Sequence, residues 1–321
     1  MKHKKNEKTA LIVGSGVIGA YLAKVLVKKN FKTIITTRKL KNYKKNYNKL
    51  NISNKVKFVK LNLNHKKKIS QILKNSRPDL IYYFAGQRSI TESFIKPRAT
   101  YLSNYIGAEN FLKIIKKEKL NTKFFKANSG YIFNGDKGKI TLSSKLVKPD
   151  SPYTRSQIAS YKLIKKYRLL GLSCYSLVFF NVESKIASKN FVAKKICYTC
   201  REIKKNRLKK IVLGNINTIR DFSWAPEIVN GIYLIKNLRA QDVIMGSGIP
   251  MKIKDLIFYA FNYYKLDYKK YITFNKKFFR KNERFKIVAS MKKTFSLLNK
   301  WNWKTKINGK KLVYKMCKEL D

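Results

Sequence analysis

The sequence predicts an α/β fold: a doubly wound parallel sheet of the Rossmann type, followed by a smaller carboxy-terminal region. Three observations predict it. Short apolar runs alternate with longer helical patterns through the first 130 residues, the signature of a parallel sheet covered on both faces. A glycine-rich turn, "GSGVIG", joins the first such run to the first helical pattern. After Asn181 the rhythm changes and the helical patterns become less regular.

Taken in order, "ALIVG" (10–14), "KTIITT" (32–37), "KFVKL" (57–61), "DLIYYFAG" (79–86) and "KFFKAN" (123–128) have the length and the β-branched or aromatic content of strands. Between them "VIGAYLAKVLVKKN", "KKKISQILKNS" and "TYLSNYIGAENFLKIIKKEK" carry apolar residues at helical spacing. "SPYTRSQIASYKLIKKYRLLG" continues the series as a helix, and "SCYSLVFFN" (173–181) as the next strand. "DVIMGSG" (242–248) reads as one more strand returning to the sheet. The expected division is therefore 8–180, with 222–248 returning to it, and a second region over 181–321, mainly 181–221 and 249–321. No repeat or low-complexity linker separates the two.

With 321 residues, 44% of them hydrophobic, the chain can bury a large core. Lys+Arg 73 against Asp+Glu 17 gives a formal charge of +56, which attracts anions. The lysines are scattered through every segment instead of forming one tail or stripe, as codon drift in an AT-rich genome would leave them. A nucleic-acid partner would leave the motifs below unexplained. The four cysteines do not make a disulfide framework, so a reducing compartment is expected. Cys197 and Cys200 form a lone CxxC, read as core packing. Only His3 and His65 could supply imidazole; no metal site is expected, and histidine-based nucleophilic catalysis is poorly supported. Glycines and Lys24 interrupt the apolar run near the amino terminus, and no stretch has the length of a membrane span. A cytoplasmic protein is expected.

"GSGVIG" supplies Gly14, Gly16 and Gly19 as GxGxxG between a strand and a helix, the setting of a dinucleotide site. The first glycine permits the turn, the second admits a pyrophosphate, and the third lets helix and strand pack closely. At the end of the second strand, "ITTRKLK" has no carboxylate for the ribose hydroxyls and offers Arg38 instead. A guanidinium suits a ribose phosphate, so NADP is the expected cofactor.

"DLIYYFAGQRS", "NYIGAEN", "NSGYIFNG", "SPYTRSQ" and "FFNVES" follow in order, with "NFVAKKI", "VLGNINTIRDF", "FRKNE" and "LNKWNWKTKINGKKLV" after them. Together they resemble the extended short-chain dehydrogenase/reductases of the NAD-dependent epimerase/dehydratase family, and within it most closely the GDP-mannose 4,6-dehydratases. The resemblance runs over nearly the whole chain and implies enzymes acting on nucleotide sugars. It implies that Gly86 and Gln87 line the cofactor's ribose and phosphates. Asn62 stands where an aspartate usually contacts adenine, and Asn104 on a helix position that orders active-site water. Asn181, Asn190 and Lys195 would face the sugar or its phosphates, Arg220 and Arg280 would clamp the pyrophosphate, and Glu283 would hold the nucleoside ribose. A GDP-sugar is the favoured substrate, and a homodimer or higher homo-oligomer the expected assembly. The residues themselves leave a plainer alternative: an Arg220–Asp221 salt bridge and a solvated Arg280.

The resemblance makes Ser129 the hydroxyl that polarises the substrate oxygen and Tyr153 the acid/base. It also exposes two departures. Tyr131 stands where the dehydratases carry a carboxylate, and a phenol of reference pKa ~10 is a poor general base near neutral pH. Gln157 stands where a lysine would lie one helical turn from Tyr153. A lysine ~5 Å from the phenolate, at an effective dielectric of ~20, contributes roughly 3 kcal/mol, or ~2 pH units. Arg155 and Lys162 point elsewhere on the helix. Three readings follow: a nucleotide-sugar dehydratase, an NADPH-dependent 4-keto-sugar reductase, and a non-catalytic member that binds NADP or a nucleotide sugar.

Overall fold

The structure, a computed structural model, describes residues 7–38, 40–136, 138–275 and 283–321. The chain forms two compact units. Of the described residues, the first comprises those within 1–132, 146–178 and 229–243, and the second those within 133–145, 179–228 and 244–321.

The first unit is built on a seven-stranded sheet. Its strands are β1 (Thr9–Val13), β2 (Lys32–Thr37), β3 (Lys57–Lys60), β4 (Leu80–Tyr83), β5 (Lys123–Ser129), β6 (Cys174–Phe179) and, from the end of the unit, β10 (Asp242–Met245). Their order is β10-β6-β5-β4-β1-β2-β3. The order reverses between β1 and β4, which is the switch point where doubly wound sheets hold their ligands. β1 pairs parallel to both β2 and β4, and β4 parallel to β5. This is the fold class expected, and the strands lie where the apolar runs placed them.

Between the strands come α1 (Val17–Lys28), α2 (Leu40–Asn48), α3 (Lys66–Ser76), α4 (Ile90–Ile95), α5 (Pro97–Tyr101), α6 (Gly107–Lys117) and α7 (Pro152–Leu169). One core packs β1, β2, β4 and β5 against α3, α6 and α7 through Leu11, Ile81, Phe124, Phe111 and Ile164, all buried. Across the strands Tyr82, Phe125 and Tyr175 stack, with ring centroids 4.7 and 4.3 Å apart. Such cross-strand aromatic pairs contribute about 0.5–1.5 kcal/mol each beyond their burial.

The stretch 100–119, expected as one helix, is interrupted. Leu102–Ile106 winds as a π-helical turn between α5 and α6. The cause lies on the sheet: the Tyr83 hydroxyl donates to the Ser103 carbonyl at 2.9 Å, and it fills the space where a Cβ on residue 107 would lie, which Gly107 leaves open. A side chain inserted into the helical ladder is a standard origin of such a turn.

The second unit holds β7 (Asn181–Glu183), α8 (Val192–Lys204), β8 (Ile211–Leu213), β9 (Ile219–Trp224), the start of α9 (Ala225–Ile235), β11 (Pro250–Lys252), α10 (Ile253–Tyr263), β12 (Ile272–Phe274), β13 (Lys286–Ile287), α11 (Lys292–Leu297) and α12 (Gly309–Lys318). β9 is the centre of a small sheet with β7, β11 and β13 as neighbours, and β8 pairs with β12. α8, α10 and α12 enclose its core, in which Cys197, Cys200 and Cys317 are completely buried. The CxxC is core packing. Among the described residues no helix is long and apolar enough to cross a membrane.

Candidate active site

The glycine turn lies at the switch point. Gly14 follows β1 with φ +105, and a Cβ there would come within 2.6 Å of the Ala85 backbone nitrogen. Only glycine fits. A Cβ on Gly19 would strike the Gly14 carbonyl oxygen at 2.5 Å, so the third glycine sets how closely α1 approaches the turn. Gly16 differs: its Cβ would meet nothing within 4 Å. Gly16 is also the N-cap of α1, with no side-chain cap and no acidic residue in the first turn. The helix therefore presents open N–H groups and the positive end of its dipole beside a cradle that a methyl group would fill. These features fit a dinucleotide pyrophosphate.

The surroundings fit the rest of such a ligand. Ser15 Oγ donates to Thr37 Oγ1 at 3.1 Å, which ties the glycine turn to the end of β2. Arg38 follows directly and is exposed. Asn62, beyond β3, is exposed, and its Oδ1 accepts from the Asn64 N–H at 3.2 Å. Gly86 opens the loop after β4, and a Cβ there would lie 2.5 Å from Asn104 Oδ1. The Gln87 side chain turns back on its own loop and accepts from the N–H groups of Arg88 and Ser89. Asn104 is completely buried; its amide donates to Ser156 Oγ at 2.9 Å and to the Gln87 carbonyl at 3.3 Å. Asn104 Oδ1 has no hydrogen-bond partner among the described residues. An orphaned buried acceptor of this kind is a place for a ligand or water donor.

The catalytic candidates converge at the start of α7. Ser151 is the N-cap, accepting from the Thr154 N–H at 3.2 Å, while Thr154 Oγ1 accepts from the Ser151 N–H at 3.1 Å, and Pro152 opens the first turn. Such a reciprocal cap stabilises a helix by about 1 kcal/mol. It also fixes Tyr153 at the second helical position. There the Tyr153 N–H donates to Ser93 Oγ of α4 at 3.2 Å. Tyr153 is buried, and Ser129 lies at the end of β5. Burial pushes the phenol up; the Ser129 hydroxyl and the charge of Arg88 oppose that, and the neighbouring Tyr131 adds to it. Tyr131 sits in a short 3-10 turn, its N–H donating to Ser129 Oγ at 3.2 Å.

Gln157 is one turn on and 5% exposed. The Asn128 amide donates to its carbonyl at 3.2 Å and to its Oε1 at 3.4 Å, and Asn128 Oδ1 in turn accepts from Ser176 Oγ at 2.9 Å. Its side-chain oxygen thus bonds to β5. Arg155 and Lys162 are exposed. Two residues escaped the sequence reading. Arg88 is one, signalled only by its place in "GQRS". Lys126 is the other: it is 1% exposed on β5, with Nζ donating to the Ala127 carbonyl at 2.5 Å and lying 5.3 Å from the Tyr83 ring centre. Burial depresses its ammonium to about 7.

The second unit brings together part of the expected substrate set. Arg220 is buried on β9; its guanidinium donates to the carbonyls of Ile219 and Phe285 and pairs with Glu283 at 3.6 Å. The Arg220–Asp221 salt bridge weighed as an alternative does not form. Asp221 instead accepts from the N–H groups of Ser247, Gly248 and Ala289 and from Ser247 Oγ. The reason is alternation along β9, which sends adjacent side chains to opposite faces. The Asn181 amide donates to the Asp221 carbonyl at 3.0 Å. Lys195 on α8 donates to the Val212 carbonyl at 2.8 Å, and Asn190 is exposed just before that helix. Arg280 lies outside the described residues.

The fold and this site define an extended short-chain dehydrogenase/reductase. The comparisons with known proteins narrow the class. Residues 11–316 match the model of the family described as GDP-mannose 4,6 dehydratase. GDP-mannose 4,6 dehydratase 1 of Arabidopsis thaliana is 27% identical over 98% of this chain and 90% of its own length. The GDP-mannose 4,6-dehydratase of Vibrio cholerae serotype O1 is 24% identical over 78% and 70%. Among solved structures, dTDP-glucose 4,6-dehydratase from Bacillus anthracis, in complex with NAD, superposes with a TM-score of 0.82 at 16% identity, covering 97% of this chain and 96% of that one. RMD from Pseudomonas aeruginosa, complexed with NADPH, gives 0.76 at 18% identity, covering 97% and 98%. The chain belongs to the GDP-mannose 4,6-dehydratase family.

Proposed function

We propose that the protein exchanges hydride between NADP and the C4 position of a GDP-linked sugar, with Tyr153 as the acid/base, and that its favoured direction is reduction of a 4-keto sugar. The observation that carries this reading is the Tyr153–Ser129 pair: a buried phenol, kept protonated by desolvation, with the Ser129 hydroxyl at the end of β5 acting against that shift. A neutral phenol is the correct resting form for a proton donor. The nicotinamide, when bound, supplies the hydride. Tyr153 gives its proton to the ketone oxygen as the carbonyl π pair moves onto that oxygen, and Ser129 holds the same oxygen by a hydrogen bond. The product is the 4-hydroxyl sugar and a tyrosinate that solvent reprotonates.

Dehydration is the second reading, favoured by the family match and by relatives named GDP-mannose 4,6 dehydratase. It requires a base to remove a carbon-bound proton. The group beside Ser129 is Tyr131, and no carboxylate stands there. Support for NADP comes from the end of β2, where Arg38 is exposed and no carboxylate stands in "ITTRKLK". The Arg220–Glu283 pair supports a diphosphate and ribose contact in the second unit, with Asn181, Asn190, Lys195 and Arg280 as further candidates.

The test is a pair of product assays, a GDP-linked 4-keto sugar with NADPH beside GDP-mannose with NADP. Reductive turnover should exceed dehydration. Brisk dehydration with no reduction would overturn the proposed direction.

A further inference from the structure

We infer that Asp221 is a positioning residue of the nucleotide clamp: it touches no ligand itself and holds the segment that keeps Glu283 opposite Arg220. The inference rests on the proposed reading of Arg220 and Glu283 as diphosphate and ribose contacts.

The geometry begins on β9, where alternation sends Arg220 and Asp221 to opposite faces. Both nevertheless grip the same segment, residues 283–289. Its centre is β13, which runs parallel to β9 with Lys286 opposite Ile219 and Ile287 opposite Arg220. At the amino-terminal end the Arg220 guanidinium donates to the Phe285 carbonyl at 3.1 Å and pairs with Glu283 at 3.6 Å. The Ile219 N–H donates to the same carbonyl at 2.8 Å. At the carboxy-terminal end the Ala289 N–H donates to Asp221 Oδ2 at 3.2 Å. Two adjacent residues of one strand thus hold the segment at both ends. β13 has two residues, fewer than most strands, so its terminal bonds decide where Glu283 lies.

Asp221 is itself fixed. Its Oδ1 accepts from the Ser247 N–H at 2.8 Å and from Ser247 Oγ at 2.7 Å, and its Oδ2 accepts from the Gly248 N–H at 2.8 Å. Gly246 leaves room for the carboxylate, because a Cβ there would lie 2.9 Å from Oδ2. Asp221 therefore joins β9, the turn at 246–248 and the segment 283–289 through charge-assisted bonds, about twice as strong as neutral ones. Residue 140 pairs with the same end of the segment: the Ile140 N–H donates to the Val288 carbonyl at 2.7 Å, and the Ser290 N–H to the Ile140 carbonyl at 2.8 Å. The main chain of Asp221 serves a further substrate candidate, since its carbonyl accepts from the Asn181 amide at 3.0 Å. Asp221→Asn retains one acceptor oxygen and Asp221→Ala none, so the hold on the Ala289 end weakens in that order.

Calorimetry on the full-length protein, with GDP and NADPH as ligands, tests this. Asp221→Ala should weaken GDP binding about tenfold and Asp221→Asn about threefold. NADPH affinity should not change, because the glycine turn belongs to the first unit. In a Glu283→Ala background the same two changes should alter GDP affinity less than about twofold, since the contact that depends on the segment is already gone. A merely structural role would lower affinity equally in both backgrounds, and that result overturns the inference. So does GDP affinity unmoved by Asp221→Ala. If Asp221→Ala does not fold, Asp221→Asn decides by the same comparison. Glu283→Ala and Arg220→Ala that both bind GDP as the parent does sink the proposed clamp, and the inference with it. A weakened Glu283→Ala on which the Asp221 changes act additively sinks Asp221 alone and leaves the clamp standing.

Discussion

At the scale of single residues, two polar groups turn inward where the lysine-rich composition suggests they would face water. Lys126 is buried, with its ammonium depressed to about 7. Its folded value lies below the unfolded one, so between about pH 7 and 10.5 the unfolded chain binds the proton and the folded chain does not. Stability therefore rises with pH across that window, and below it the folded state carries the full cost of a buried ammonium. Lys126→Met should stabilise the protein at pH 6 by roughly 2–5 kcal/mol and flatten that rise, as read by chemical denaturation across pH. Neither Lys126 nor the Asn128–Gln157 bond was legible in the sequence. A lysine in a strand of a chain with 73 basic residues reads as solvated, and a side-chain partner across a sheet depends on register that periodicity does not encode. The helix after Ser151 and the strand before Ser129 were legible from apolar spacing, whereas the roles of Tyr153 and Ser129 came from the resemblance of "SPYTRSQ" and "NSGYIFNG". Gln157→Lys, which would restore a lysine one turn from Tyr153, meets Asn128 donating into its site; a second donor there is unsatisfied and costs about 1–3 kcal/mol. Melting temperature should fall in that single variant and recover when Asn128→Asp supplies an acceptor.

At the scale of elements, the strands were readable because β-branched and aromatic runs of four to seven residues leave little choice of structure. The π-helical turn at Leu102–Ile106 was not, since its cause is the Tyr83 hydroxyl from another element. The glycine turn separates folding from binding. Gly14→Ala forces a side chain into a left-handed backbone against Ala85 and should destabilise the unit by several kcal/mol, by roughly the strain and overpacking expected at such a site. Gly16→Ala meets open space in the protein. It should melt normally yet bind NADPH at least about tenfold more weakly in calorimetry, because the methyl occupies the phosphate cradle. Equal loss of stability in both variants would contradict the assignment of that cradle.

At the scale of the whole molecule, a charge of +56 draws anions of every kind, so selectivity has to come from particular contacts. NADPH should bind more tightly than NADH at fixed salt, and Arg38→Ala should narrow the gap; a gap that persists undiminished would remove Arg38 from the cofactor site. Arg220→Ala, if folded, should weaken GDP binding by about 1.5–3 kcal/mol. The claim on which these parts converge is hydride exchange with a sugar carbon, gated by Tyr153. Deuterium transfer tests it most directly: deuterated NADPH is incubated with a GDP-linked 4-keto sugar, and the product is weighed by mass spectrometry. The account predicts one deuterium on the sugar with the unmodified protein and none with Tyr153→Phe. Label transferred equally by both proteins, or by neither while NADPH and GDP still bind, would contradict it.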